Sequence, residues 1–437
     1  MQTSLRGIAN KAAEQKQYRF RDLYRLLNEE NLRESFYLLR KKAACGVDGV
    51  TFQEYEKKLD ENLVDLVGRL KAKRYRAKLV KRKYIPKPGS DKGRPLGIPA
   101  LEDKILQAAV ANILSAIYGQ DFLDCSYGYR KGLGPHDALD DLQESLQSGG
   151  HHWVVEADIR GFFDNMDHEW LVRMLEQRVD DRALIRLIKK WLRAGILEED
   201  GSVVHPETGS PQGGIVSPVL SNIYLHYALD LWFEKEVAKS CLGSCKLVRY
   251  ADDFVCAFAS RSEAEAFEAQ LKERLAKFGL EVAEDKTQTL KFTKRGGKGN
   301  GKFDFLGFEF RWGPSRKGNL VVKRRTSRKK FRASLRNFTE WIRTHRHQKA
   351  RILLEQFKRK IDGYGNYYAI VGNSRSVNDL FRLLRKLLFK WLNRRSDKRS
   401  YVWPSFNRLL KRHGISCPKV KRTGDLQLEL GLNVVVL

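Results

Sequence analysis

The sequence predicts an α+β fold that ends in an all-helical C-terminal part. Two observations carry this. Two β-prone runs, 153–159 and 246–258, lie between stretches of helical periodicity. From Arg328 to about Arg395 only helical periodicity remains, with breaks expected near Gly363 to Gly372. In chain order, Leu23, Leu26 and Leu27, then Leu59, Leu63, Leu66, Val67 and Leu70, recur at helical spacing. Gly46-Val-Asp-Gly49 marks a turn, and 81–99 reads as short strands and loops punctuated by proline and glycine. A helix is expected over 101–118, with Glu102 and Asp103 at its positive end. Further helices are expected over roughly 169–192 and 217–237, while 296–301 reads as a flexible loop without Walker spacing, which excludes a P-loop. No internal repeat is visible.

Composition narrows the function. The chain has 437 residues, 42% hydrophobic and 11% aromatic, enough for two or three domains and a sizeable core. No apolar run approaches the roughly 20 residues of a membrane span, and six scattered cysteines are no disulfide framework, so the expectation is a cytoplasmic, reducing setting with no membrane partner. The net charge is +29, from 82 Lys/Arg against 53 Asp/Glu. That charge is concentrated: residues 311–412 hold 30 Lys/Arg against 5 Asp/Glu, and 69–94 hold 12 against Asp91 alone. Phe331, Phe338, Trp341, Phe357, Trp391 and Trp403 are interleaved with the C-terminal charge, a pattern suited to nucleic acid. Cys241 and Cys245 have no second pair at metal spacing, which argues against zinc.

Asp252 and Asp253 stand at an expected hairpin tip, in Tyr250-Ala-Asp-Asp253, and Asp158 ends the other β-prone run. If the two strands are neighbours, carboxylates from both converge. Like charges that close call for divalent cations, and hard oxygens suit Mg²⁺. Two such ions can activate an attacking hydroxyl and steady the leaving oxygen of a phosphoryl transfer. Asp164 and Asp167 compete with Asp158; Asp167 reads more simply as a helix N-cap and Asp164 as turn chemistry.

These residues sit inside longer blocks. The run Ser210-Pro-Gln-Gly-Gly-Ile-Val-Ser-Pro-Val-Leu-Ser-Asn-Ile-Tyr-Leu-His226, followed by Tyr250-Ala-Asp-Asp253, resembles group II intron-encoded reverse transcriptases. Tyr84-Ile-Pro-Lys-Pro88 with Gly93-Arg-Pro-Leu-Gly-Ile-Pro99, Ser126-Tyr-Gly-Tyr-Arg130, and Asp158-Ile-Arg-Gly-Phe-Phe-Asp164 are similar to earlier blocks of that family. Gly279-Leu-Glu-Val, Asp285-Lys286-Thr287 and Phe303-Asp-Phe-Leu-Gly-Phe308 match later ones, and Trp403-Pro-Ser-Phe406 to Pro418 resembles the end of the maturase X region.

The resemblance implies a right-hand polymerase: an N-terminal extension and fingers over 1–95, and a palm with an antiparallel sheet and interleaved fingers segments over 96–312. It further implies a helical thumb and X region over 313–395 and a basic X-end, a DNA-binding remnant, over 396–437, with no appended His-Asn-His endonuclease. It makes Asp158, Asp252 and Asp253 the catalytic triad, binding two Mg²⁺ (or Mn²⁺ as a substitute) with the Ile159 carbonyl as a further ligand. Lys87 and Arg94 become a triphosphate clamp, Phe163 a gate against ribonucleotides, with Phe162 the competing ring, and Gln212 a wall of the nucleotide pocket. The implied partners are an RNA template, a DNA primer, dNTPs, a structured group II intron RNA and a target DNA. Two other readings stay open: a domesticated or defence-associated stand-alone reverse transcriptase, and a splicing-only RNA-binding maturase.

Overall fold

The structure, a computed structural model, describes residues 2–85, 93–294, 301–315, 317–395 and 400–420. Lys87, most of the glycine-rich loop at 296–301, Lys398 and Arg399, and the apolar tail 426–437 lie outside the described residues. The chain divides into two compact units. The first is built from 2–138 with His151–Thr289, the second from Leu139–Gly150 with 290–420. Among the described residues, no helix is long and apolar enough to cross a membrane.

In the first unit, the helix Leu101–Tyr118 is buried on nearly every face, from Ile105, Leu106 and Val110 to Ile113, Leu114 and Ile117. That explains why it carries so few charges beyond its first turn. Two sheets belong to this unit. Strands β1 (Val80–Ile85) and β2 (Arg94–Ile98) form an antiparallel hairpin. After β3 (Trp153–Ala157) come β4 (Ile196–Leu197), parallel to β1, and β5 (Val203–Val204), antiparallel to β4. The other sheet has the order β6 (Cys245–Tyr250), β7 (Asp253–Phe258), β3 and, at its edge, β8 (Gln288–Lys291). Its β6, β7 and β3 are antiparallel, and β7 is buried from Phe254 to Phe258.

Two local expectations need correction. The single helix expected over 169–192 is two, His168–Glu176 and Arg182–Leu192. Asp181 starts the second by accepting hydrogen bonds from the backbone N–H groups of Ala183 and Leu184. The leucines at 23–27 make only a short 3₁₀ turn, Leu23–Leu26.

The second unit pairs a sheet with helices. Strands β9 (Phe303–Phe305), β10 (Phe308–Pro314) and β11 (Leu320–Thr326) form an antiparallel three-stranded sheet that the sequence reading did not anticipate. The reason is electrostatic. Along β11 the inward positions are Val322, Arg324 and Thr326, so an arginine occupies a core slot and breaks the apolar alternation. Arg324 is buried and paired with Asp140 at 2.6 Å. Helices Arg328–His345, Ala350–Tyr368, Ser374–Leu392 and Trp403–Arg412 then close over Ile342, Phe357, Leu384, Leu388 and Phe406. The break expected near Gly363 to Gly372 is present but late, at 369–373, so the helix runs on through Gly363 and Gly365 to Tyr368. Gly365 has a packing role, since a Cβ there would stand 2.5 Å from the Pro418 ring.

Candidate active site

β3 and β7 are neighbours, as the carboxylate argument requires. Trp153 lies opposite Phe258 and Ala157 opposite Phe254. Carried one residue further, that register sets Asp158 opposite Asp253. β6 and β7 make the hairpin, with Tyr250 paired to Asp253. Ala251 at its tip sits in the left-handed region with φ 57°, an uncommon conformation for alanine that costs roughly 1–2 kcal/mol.

The charges report the same convergence. Burial holds the Asp252 carboxyl above its ordinary range; its own backbone N–H opposes this, the Asp158 charge adds to it, and Arg94 and Arg249 pull it back. The Tyr129 hydroxyl is pushed up to about 12, first by burial and next by the Asp252 charge. Asp158, Asp252 and Arg94 therefore share one electrostatic site.

Asp158 is not bare. Its carboxylate accepts a hydrogen bond from the Lys286 ammonium, the largest cause of that lysine's raised pKa. Among the described residues, no three His, Cys, Asp or Glu side chains form a ready-made metal cage. The donors nevertheless suit a hard divalent cation in kind, being carboxylates whose mutual repulsion such an ion relieves. The isolated bridge between Ile159 and Val282 uses the Asp158 carbonyl and the Arg160 N–H, which leaves the Ile159 carbonyl outside that ladder.

The nucleotide-site candidates gather on adjoining loops. The Ser210 N–H donates to the Phe163 carbonyl at 2.7 Å, and Gly209 fits so tightly that a Cβ would lie 2.7 Å from the carbonyls of Phe163 and Asp164. The Gly97 N–H donates to the Gln212 carbonyl at 2.5 Å, fastening the Pro-Gln-Gly loop to β2, the strand that begins with Arg94. Gln107 accepts from the Ile215 N–H at 2.8 Å and holds the loop from behind. Phe162 is buried against Tyr224, whereas Phe163 is only half-buried. Asp167 caps the helix His168–Glu176 through the Trp170 N–H. Gln212, Phe163 and Arg94 are described; Lys87 is not.

Sequence reasoning named Lys286, Gly128 and Asn222 only inside matching blocks, and gave Arg249 and Asp230 no role. Gly128 abuts the hairpin that carries Asp252 and Asp253, for a Cβ there would overlap the Ala251 backbone. Gly128→Ala should therefore displace the Asp252 turn and lower the catalytic rate by roughly 10- to 100-fold, the scale of a misplacement near 1 Å. Single-turnover kinetics beside a melting curve would check this; an unchanged rate in a folded variant would exclude tight seating.

Comparison with known proteins extends the geometry. Residues 85–310 match the reverse transcriptase (RNA-dependent DNA polymerase) family, and residues 328–410 match the maturase-specific domain of group II introns. Protein YkfC of Escherichia coli is 33% identical over 285 residues, covering 57% of this chain and 74% of that protein. The group II intron-encoded protein LtrA of Lactococcus lactis is 38% identical over 208 residues, 47% of this chain but only 34% of LtrA. A putative COX1/OXI3 intron 1 protein of Saccharomyces cerevisiae is 23% identical over 428 residues, 80% of this chain and 50% of its own. With the aspartate site inside the first matched region and the basic helices inside the second, the chain belongs to the reverse transcriptase family and carries the group II intron maturase-specific domain.

Proposed function

We propose that this protein is an RNA-directed DNA polymerase that also binds a group II intron RNA as a maturase, aiding splicing and mobility. The observation that carries the reading is the antiparallel pairing of β3 with β7, which brings Asp158 to Asp252 and Asp253 while Arg94 bears on the same charges. In this reading, residues 1–95 supply the fingers, 96–312 the palm, 313–395 the thumb and X region, and 396–437 its basic end.

Asp158, Asp252, Asp253 and the Ile159 carbonyl would hold two Mg²⁺, with Mn²⁺ as a substitute. When bound, the ions supply charge neutralisation for an attacking 3′-hydroxyl and a departing pyrophosphate. The chain does the rest. Arg94, with Lys87, binds the triphosphate; Gln212 bounds the base and sugar; Phe163 covers the 2′ position. Lys286 would have to release the Asp158 carboxylate for it to serve as a cation ligand. The substrates are dNTPs on a DNA primer and RNA template, with a target DNA serving as primer source in mobility. The same chemistry also suits a stand-alone reverse transcriptase; the maturase-specific match favours an intron partner.

The test is extension of a DNA primer on an RNA template. Synthesis should require Mg²⁺, stop on chelation and resume when the ion is restored. A template left uncopied under all cation conditions overturns the polymerase reading. Specificity provides a finer check. Phe163→Val should raise ribonucleotide incorporation at least tenfold, because the half-buried ring is the one able to fill the space of a 2′-hydroxyl, whereas Phe162→Val opens a cavity in the core. If Phe162→Val relaxes sugar selection and Phe163→Val does not, the gate is the other ring.

A further inference from the structure

Arg249 is the next-to-last residue of β6, in the otherwise apolar run Leu-Val-Arg-Tyr, and it is fully buried. An arginine has five N–H donors, and burial makes each unpaired one costly. Here all five are used. Nε and one Nη2 donor reach the two carboxylate oxygens of Asp230, at 2.7 and 2.5 Å. The other Nη2 donor reaches Ser126 Oγ at 2.7 Å. The Nη1 pair reaches Asn222 Oδ1 at 3.1 Å and the Ala251 carbonyl at 2.9 Å.

That last contact lies on the catalytic hairpin. The Ala251 carbonyl belongs to the peptide joining the left-handed Ala251 to Asp252. On the far side of the turn, Asn222 Nδ2 donates to the Gly128 carbonyl at 2.6 Å, and Gly128 is the residue seated against Ala251. The loop of contacts is closed: Arg249, Ala251, Gly128, Asn222 and back to Arg249. The backbone repeats the clamp, with the Arg249 N–H donating to the Cys125 carbonyl at 2.7 Å and the Tyr127 N–H donating to the Arg249 carbonyl at 2.9 Å.

The helix behind is shaped for this. From His226 to Asp230 the helix that starts at Ser217 widens into a π turn. Such a turn takes up an extra residue, so the eight-residue step from Asn222 to Asp230 behaves as about two α-helical turns. Both side chains then face Arg249, and both are fully buried. A buried ion pair adds little net stability over an apolar pair of the same size. Its yield here is a fixed position for a strained peptide.

We infer that Arg249, oriented by Asp230 and Asn222, is a positioning residue that sets the Asp252–Asp253 turn for catalysis. This rests on the polymerase reading above, and the experiment keeps the two apart. Arg249→Met alone strands a buried carboxylate and is expected to misfold. The informative variants are Arg249→Lys and the charge-free double Arg249→Met with Asp230→Leu. Each full-length variant is taken through thermal melting, single-turnover extension across dNTP and Mg²⁺ concentrations, and amide hydrogen exchange of 251–253.

The double variant should still fold cooperatively, melting modestly below wild type because Ser126, Asn222 and the Ala251 carbonyl lose a donor, yet lose about 100-fold in the maximal rate. Its dNTP dependence should change little, its Mg²⁺ midpoint should rise, and exchange at 251–253 should quicken. Arg249→Lys, which keeps the charge without the planar fork, should show the same direction. A double variant that regains both stability and rate would reduce the pair to packing and overturn the inference. If wild-type protein extends no primer, the polymerase reading falls; slower or unchanged exchange at 251–253 in folded variants would then overturn the positioning role as well, and faster exchange would uphold it.

Discussion

Replacing Asp252 and Asp253 together by alanine should abolish primer extension, by at least about 1,000-fold, without lowering the melting temperature. The rate loss follows from removing two of the three carboxylates proposed to hold the cations; a thousandfold is about 4 kcal/mol of transition-state stabilisation. The stability claim follows from the sign of the Asp252 shift. Its folded pKa is raised above the unfolded value, by burial first and by Asp158 among its neighbours. The folded state therefore binds the proton more tightly, and stability falls as pH rises through the window between the unfolded and folded values. At neutral pH the ionised side chain strains the folded chain, so alanine relieves it. Extension assays and calorimetry on one preparation check both halves. Undiminished synthesis would remove the aspartates from the mechanism; a collapsed melting temperature would make them structural.

Charge reversal at Arg328, Lys329 and Lys330 should cut nucleic-acid affinity while stabilising the helix that carries them. These three exposed cations occupy the first turn of the helix Arg328–His345, which has no acidic residue there. The positive end of a helix disfavours cations by roughly 0.3–1 kcal/mol each, so glutamates should raise stability. Three cations retained against that field suggest a polyanion partner. Losing three phosphate contacts should lower the logarithmic salt slope on a duplex by about 2.7. Binding isotherms at several salt concentrations, beside melting curves, check the opposed signs. Equal affinity would leave the turn as ordinary solvated surface.

The neighbouring cluster Lys323-Arg-Arg325, which by sequence reads as a second such patch, is not equivalent. Arg324 is buried on Asp140, and Arg325 pairs with Glu309 at 2.6 Å, so reversal there tests the sheet rather than the partner. Farther along the chain, Lys390 and Arg394 are exposed beside Trp391. Reversing both should weaken binding to a structured intron RNA and leave extension on a short template nearly unchanged. Parallel loss of both activities would argue against a separate maturase surface.

The contrast explains what was legible. Asp158, Asp252 and Asp253 could be read because each interrupts or ends an apolar strand, and a carboxylate there is conspicuous. The helix 101–118 was legible to the residue because its apolar content is continuous. Arg249 also interrupts a strand, but a long basic side chain is the residue most easily assumed to reach water, and its partners lie 19, 27 and 123 positions away. Lys286 was visible as a residue and not as an ion-pair partner, since the bridge at Ile159 and the pairing of β8 with β3 bring it to Asp158. The β10–β11 hairpin was hidden by Arg324, whose compensation by Asp140 no local pattern reveals.

The second unit borrows Leu139–Gly150 from the middle of the chain. Gln143 and Gln147 bind the Val322 backbone, and Asp140 neutralises Arg324. A fragment starting at residue 290 would carry the Arg324 guanidinium into the interior with no counter-charge, so the second unit cannot be excised cleanly for study. The loan also sets a timetable on the ribosome. Gln143 emerges 179 residues before Val322, and at roughly 5–20 residues per second it waits about 10–35 s for its strand. During that interval the first unit can finish and the second cannot begin, which gives the nascent protein a fixed order of assembly: first unit, then the C-terminal sheet and helices.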